Sequence, residues 1–167
     1  MRNFISSLAL GTVLALAGAT AANAAPVTAE AGSGGKIIAP LEIRNISSLY
    51  FGTVAPSLTQ GDNVVVTPAG DKKCGAALTC LTADHTAAAF DVNGETDIAY
   101  TISLPDSIAI TNDKGDGMKV FAFTGSKNNG RLVMGADSFT VGGTLDVGVR
   151  QAAGKYTGRF IVAVEYQ

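Results

Sequence analysis

The final stretch, Tyr156-Thr157-Gly158-Arg159-Phe160-Ile161-Val162-Ala163-Val164-Glu165-Tyr166-Gln167, alternates strictly over its second half. Tyr156, Phe160, Val162, Val164 and Tyr166 share one parity, and Ile161, Ala163, Glu165 and Gln167 take the other. Successive side chains of a strand point to opposite faces, so this is the pattern of a strand with one apolar face. The spacing predicts a long closing strand over 156–167 with no later segment to pair with its far edge. Such an edge leaves a row of N–H and C=O groups, which another segment is expected to cover.

The same period of two recurs upstream. Ile98, Tyr100, Ile102 and Leu104 alternate with Ala99, Thr101 and Ser103. Phe139 and Val141 are followed by Leu145, Val147 and Val149, with Gly142-Gly143 as a turn or bulge between them. Further strands are expected at Tyr50–Val54, Val64–Thr67, Ala88–Val92, Ile108–Thr111 and Met118–Thr124. Gln60-Gly61-Asp62, Asn93-Gly94, Lys114-Gly115-Asp116-Gly117 and Asn128-Asn129-Gly130 read as turns. Beyond the first two dozen residues no window carries an apolar i, i+3, i+4, i+7 stripe long enough for a helix. Short strands with turns between them at this density predict an all-β sandwich. No repeat at 20–50 residues points to a solenoid or propeller.

The start of the chain predicts export. Arg2, an apolar stretch from Leu8 to Ala17 and the small-x-small site Ala22-Asn23-Ala24 form a signal peptide over 1–24. Its apolar core is too short to span a bilayer, so no membrane insertion is expected after cleavage. The 167-residue chain then leaves one domain's worth of sequence. Residues 25–36, rich in Ala and Gly, are expected to form a tether, followed by a single domain over 37–167. The net charge of −2 and the absence of any Lys/Arg cluster disfavour a nucleic-acid partner.

Cys74 and Cys80 are the only cysteines. In an oxidising compartment they most simply pair, closing a short loop. A metal site built with Asp84 and His85 is the competing reading, and it lacks a second spaced pair of ligands. His85 is the single histidine, no Gly-x-Ser-x-Gly elbow exists, and nothing sets a base beside a nucleophile. Asn112-Asp113-Lys114-Gly115-Asp116-Gly117 fails as a calcium loop, because Lys114 stands at a ligand position and Phe123 where the closing glutamate belongs. Asp91 beside Glu95, and Asp97 beside Asp106, are weak as paired carboxylates. No catalytic residue, cofactor or metal is therefore expected, and the chain is read as a non-enzyme.

The other informative segment is Ile37, Ala39, Leu41 and Ile43, alternating with Ile38, Pro40, Glu42 and Arg44. It reads as a strand over 37–44 behind a Gly-rich tether. A tethered strand at one end and an open edge at the other are what strand donation between subunits requires. Folding of the same strand back onto its own domain buries the same side chains, and the sequence leaves both arrangements open.

Leu49-Tyr50-Phe51-Gly52-Thr53-Val54-Ala55-Pro56 resembles the start of the bacterial family of unknown function DUF4402. Val64–Gly70, Ala89–Gly94, Tyr100–Pro105, Val141–Gly148, Gln151–Gly158 and Val162–Tyr166 fit the same family. A more distant similarity links the chain to chaperone–usher pilins of the archaic, spore-coat-U-like type. These carry a similar early Phe-Gly, a glycine fourteenth from the end, here Gly154, and a penultimate tyrosine, here Tyr166. The resemblance implies an incomplete immunoglobulin-like sandwich. Its acceptor groove would be lined by Gly154, Tyr156, Phe160, Val162, Val164 and Tyr166, and Ile37, Ala39, Leu41 and Ile43 would form the donor strand. It further implies a fimbrial subunit whose partners are other copies or related pilins, a periplasmic chaperone and an outer-membrane usher. The alternative is a self-complemented adhesion or binding module.

Overall fold

The structure, a computed structural model, describes residues 26–81 and 83–167. The signal peptide expected over 1–24 lies outside these residues. Residues up to Lys36 form one unit and Ile37–Gln167 a second. In the first, residues 26–36 are exposed and carry neither strand nor helix.

The second unit is all-β, with no helix among its described residues. Its strands are β1 (Glu42–Ser47), β2 (Val54–Ala55), β3 (Asp62–Val66), β4 (Lys72–Cys74), β5 (Thr79–Cys80) and β6 (Ala88–Asn93). They continue as β7 (Ala99–Ser103), β8 (Ser107–Thr111), β9 (Gly117–Gly125), β10 (Asn129–Arg131), β11 (Ala136–Val147) and β12 (Ala163–Tyr166). Each ladder between these strands is antiparallel.

Strand β11 organises the large sheet. Its first half, Ala136–Val141, pairs with β6, and its second half, Gly143–Val147, pairs with β3. Strand β9 lies on its other edge and carries β8. The pairing with β9 shifts register between Gly142 and Thr144. The Gly142-Gly143 pair expected to be a turn or bulge is therefore a bulge inside one long strand, and a bulge bends and twists the strand that holds it. The sheet curls there, and each half of β11 covers its own core. One core gathers Phe51, Val64, Val66, Leu78, Val120, Leu145 and Val147. The other gathers Ala88, Phe90, Val92, Tyr100, Leu132, Phe139 and Val141. A separate sheet in the order β10-β7-β12 lies over this second core, giving the sandwich-like arrangement.

The alternation at Ile98–Leu104 becomes β7, in which Tyr100 is fully buried. From Tyr50 onward, three expected elements change most. The run Tyr50–Val54 is interrupted at Gly52, whose φ of +80° is not a strand conformation. Only Val54–Ala55 forms β2, and Tyr50 makes an isolated bridge to Thr86. The turn expected at Asn128-Asn129-Gly130 is instead the start of β10, paired with β7. Gly130 lies under the Tyr100 ring, where a Cβ would sit 2.6 Å from the ring carbons, so the glycine serves close packing here. The closing strand is the third change: only Ala163–Tyr166 join the ladder with β7.

Candidate functional site

Both ends of the second unit border the second core. At the N-terminal end Ile37–Leu41 precede the strand, and β1 pairs with β6 in the register Ile43↔Val92. The strand expected over 37–44 is thus shifted to 42–47, on its own chain. Leu41 and Ile43 pack against the second core, whereas Ile37 is 98% exposed and Ala39 is exposed. Ile37, Ala39, Leu41 and Ile43 therefore do not act together: two face the core and two face solvent.

At the C-terminal end, Phe160, Val162, Val164 and Tyr166 face the second core and remain half-buried, while Ile161, Ala163, Glu165 and Gln167 face outward. The parity read from the sequence holds over these eight residues. Phe160 lies before β12 and meets the Phe90 ring edge-on at 6.2 Å and the Phe123 ring at 4.8 Å. Gly154 and Tyr156 do not join this row. Gly154 packs on Asn112, and the Tyr156 hydroxyl donates to Ala152 O at 2.7 Å. The neighbouring Thr157 bridges to Thr111, holding this segment along β8. The single Thr157–Thr111 bridge and the local hydroxyl bond take residues 154–157 away from the final strand.

Strands β1 and β12 each end the order of their sheet. Among the described residues no strand pairs with the outer edge of either. Between these two edges runs a seam bordered by Leu41, Ile43, Phe160, Val162, Val164 and Tyr166, all only partly buried. Tyr166 ties its two sides together. Its hydroxyl donates to Ala39 O at 2.9 Å and accepts from the Glu95 amide at 2.7 Å. The Ala39 amide in turn donates to Glu95 Oε2 at 3.1 Å. Gly94 admits this arrangement: a Cβ there would lie 2.2 Å from Tyr166 Oη. The sequence held no signal for the Ala39, Gly94 and Glu95 contacts, because they join segments far apart in the chain.

A polar cluster anchors β7 beneath the second core. The buried Tyr100 hydroxyl donates to Asp137 Oδ2 at 3.0 Å, and Lys127 Nζ lies 2.8 Å from Asp137 Oδ1. Burial pushes the Asp137 carboxyl up. Hydrogen bonds from Lys127, the Ser138 amide and Tyr100, with the Lys127 charge, outweigh this and hold it below its ordinary value of 3.8. Burial and the same carboxylate push the Tyr100 phenol up.

The first core is closed differently. Cys74 on β4 and Cys80 on β5 form a disulfide with a Cα–Cα distance of 6.3 Å. It fastens the two-stranded β2–β5 sheet to the edge of the large one. Beside the ring, the Asp62 carboxylate on β3 accepts from the Ala77 and Asn63 amides, and these bonds hold it below its ordinary value. His85, named in the competing metal reading, is half-buried. Its Nδ1 lies 2.5 Å from Ala83 O and its Nε2 2.9 Å from Gly70 O. Among the described residues no group of three or more His, Cys, Asp or Glu is placed to hold a metal ion. The Asn112 loop is held internally, with Asn112 Oδ1 accepting from the Lys114 and Asp116 amides.

No curated protein matches the chain. The domain of unknown function DUF4402 matches residues 41–166, from the residue before β1 to the end of β12. That span takes in both cores and both edges of the seam, and the chain belongs to the DUF4402 family.

Proposed function

We propose that the protein is a structural, pilin-like subunit of a bacterial surface fibre that polymerises by donor-strand complementation. The observation that carries this reading is the outer edge of β12, unpaired among the described residues, beside the half-buried row Phe160, Val162, Val164 and Tyr166. A strand from another copy would complete the backbone ladder there and remove that row from water. Both effects favour strand addition, at about 25 cal/mol for each Å² of apolar surface covered.

The donor lies upstream of the segment first expected. Leu41 and Ile43 already pack on their own core, and donating them would dismantle the β1–β6 ladder. Residues 26–36 are exposed and free of regular structure, and their eleven positions can span about 36 Å when extended. This reading places the chain first in the periplasm, with a chaperone on the seam and an outer-membrane usher as exit, and finally at the cell surface. No catalytic step or cofactor belongs to it.

A second reading, a self-complemented adhesion or binding module, is favoured by the Tyr166–Ala39 tie, which already joins the two edges at one end. Surface-sheared material run unheated and heated on a denaturing gel separates the two. A heat-sensitive ladder that disappears on deletion of residues 26–36 is the expected result. A single monomer band from the full-length strain would overturn polymerisation and favour the binding module.

A further inference from the structure

The turn between β10 and β11 goes against its own composition. Met134 and Gly135 both take positive φ, +52° and +82°, and the Ala136 amide donates to Val133 O at 3.2 Å. This is the backbone of a type I′ turn, whose first central position suits Asn, Asp or Gly. A methionine there carries the steric cost of the left-handed region and, at 88% exposure, buries almost nothing in return. The tip is nonetheless fixed. Leu132 before it is fully buried and its O accepts from the Asp97 amide at 2.7 Å, while Gly135 O accepts from the Gly94 amide at 3.0 Å. A strained residue with no packing role points to a use outside the fold. Met118 on β9 is the contrast: it is half-buried and packs against the first core. The third methionine, Met1, lies in the segment read as a signal peptide.

We propose that Met134 is a sacrificial oxidation site, whose rigidly presented thioether takes an oxygen atom from hydrogen peroxide while the fold shields Met118. The site needs only the folded chain and stands apart from the assembly reading. In the reaction the sulfur lone pair attacks one peroxide oxygen. The S–O bond forms as the O–O bond breaks, the sulfur gives up an electron pair, and proton transfer to the departing oxygen leaves water as the reduced product. The sulfoxide is polar and chiral, where the thioether was apolar and flexible. At Met134 the new oxygen meets solvent, and the backbone bonds that hold the turn are untouched. At Met118 it would be set against the apolar side chains of the first core, where the same change disrupts packing.

The test exposes the exported chain to hydrogen peroxide, folded and in urea, and follows each methionine by peptide mass spectrometry as the gain of one oxygen. In the folded chain Met134 should react at least about tenfold faster than Met118, following its access to solvent. In urea the two rates should converge, which assigns the difference to the fold. Met134→Asn, which suits the turn, should remove the fast phase, and Met118→Leu should leave it unchanged. Chain oxidised at Met134 alone should keep its melting temperature within about 2 °C of the untreated protein. Equal rates in the folded chain, or a fast phase that survives Met134→Asn, would overturn the site. A larger fall in melting temperature on oxidation of Met134 would overturn its sacrificial character.

Discussion

The core around Val64 and Val66 and the core around Tyr100 and Leu132 share strand β11 but meet solvent differently at their rims. The first is capped by the short β2–β5 sheet, which the Cys74–Cys80 bridge fastens to β4. The second is covered by β10-β7-β12 and then stops, leaving half-buried apolar side chains along the edges of β1 and β12. One chain thus supplies a covalent closure on one side and a single tyrosine tie on the other. The difference teaches that this open rim is local: the bulge in β11 serves both cores, and the disulfide finishes only the first.

The sharpest way to break the comparison is to ask whether the cores are separate at all. Leu132→Ala, at a fully buried position of the second core, should cost about 2–5 kcal/mol in urea unfolding. Because β11 crosses both cores, probes placed in each should report one transition. Two separated transitions would make the cores independent. Next in size, removing the bridge with Cys74→Ser and Cys80→Ser should cost about 2–2.5 kcal/mol, by the chain-entropy estimate for so short a loop. Hydrogen exchange should then quicken in β3, β4 and β5 and stay unchanged in β7. Equal quickening in β7 would show that the bridge also supports the open side.

Gly94→Ala addresses the tie directly. The added methyl collides with the Tyr166 hydroxyl, and a loss of about 1–3 kcal/mol in thermal unfolding is expected, as for other overpacked sites. A smaller term comes from the Tyr100–Asp137–Lys127 cluster. Tyr100→Phe should cost about 1 kcal/mol through the lost hydrogen bond. The Asp137 carboxyl is held below its ordinary value of 3.8, so its contribution is complete above that value and is lost as the pH falls through its lower folded value. Asp137→Asn should accordingly lower stability at neutral pH and flatten the acid limb of the stability profile, and an unchanged acid limb would assign that slope to other groups. Least of all, Ile161→Ser should stay within about 0.5 kcal/mol, since Ile161 faces outward and is 82% exposed.

The legible parts of the fold were those set by local periodicity. Ile98–Leu104 alternates and is a strand, and Phe160–Gln167 alternates and keeps its parity. Gly142-Gly143 breaks an apolar pattern and is a bulge. What stayed hidden depends on partners distant in sequence. Asn129-Gly130 has the composition of a turn, yet it lies in a strand because Tyr100 offers a flat ring for a residue without a side chain. Residues 156–162 look like the start of the last strand, but the Thr157 bridge to Thr111 holds their first part along β8. Leu41 and Ile43 share a parity with Ile37 and Ala39, yet core contact begins only where β6 is available to pair. The site was legible as two apolar rows, one at each end, and the tyrosine joining them was not.

That join also bears on how the chain can be rewired. Tyr166 reaches Ala39 with one side chain, so the backbone near the last residue and the backbone leading into β1 lie within a short linker of each other. A circular permutant that fuses Gln167 to Ile38 and opens the Lys114-Gly115 loop instead would keep every ladder described above. It would also place a covalent crossing over one end of the seam, turning a contact made by a single hydroxyl into a fixed loop.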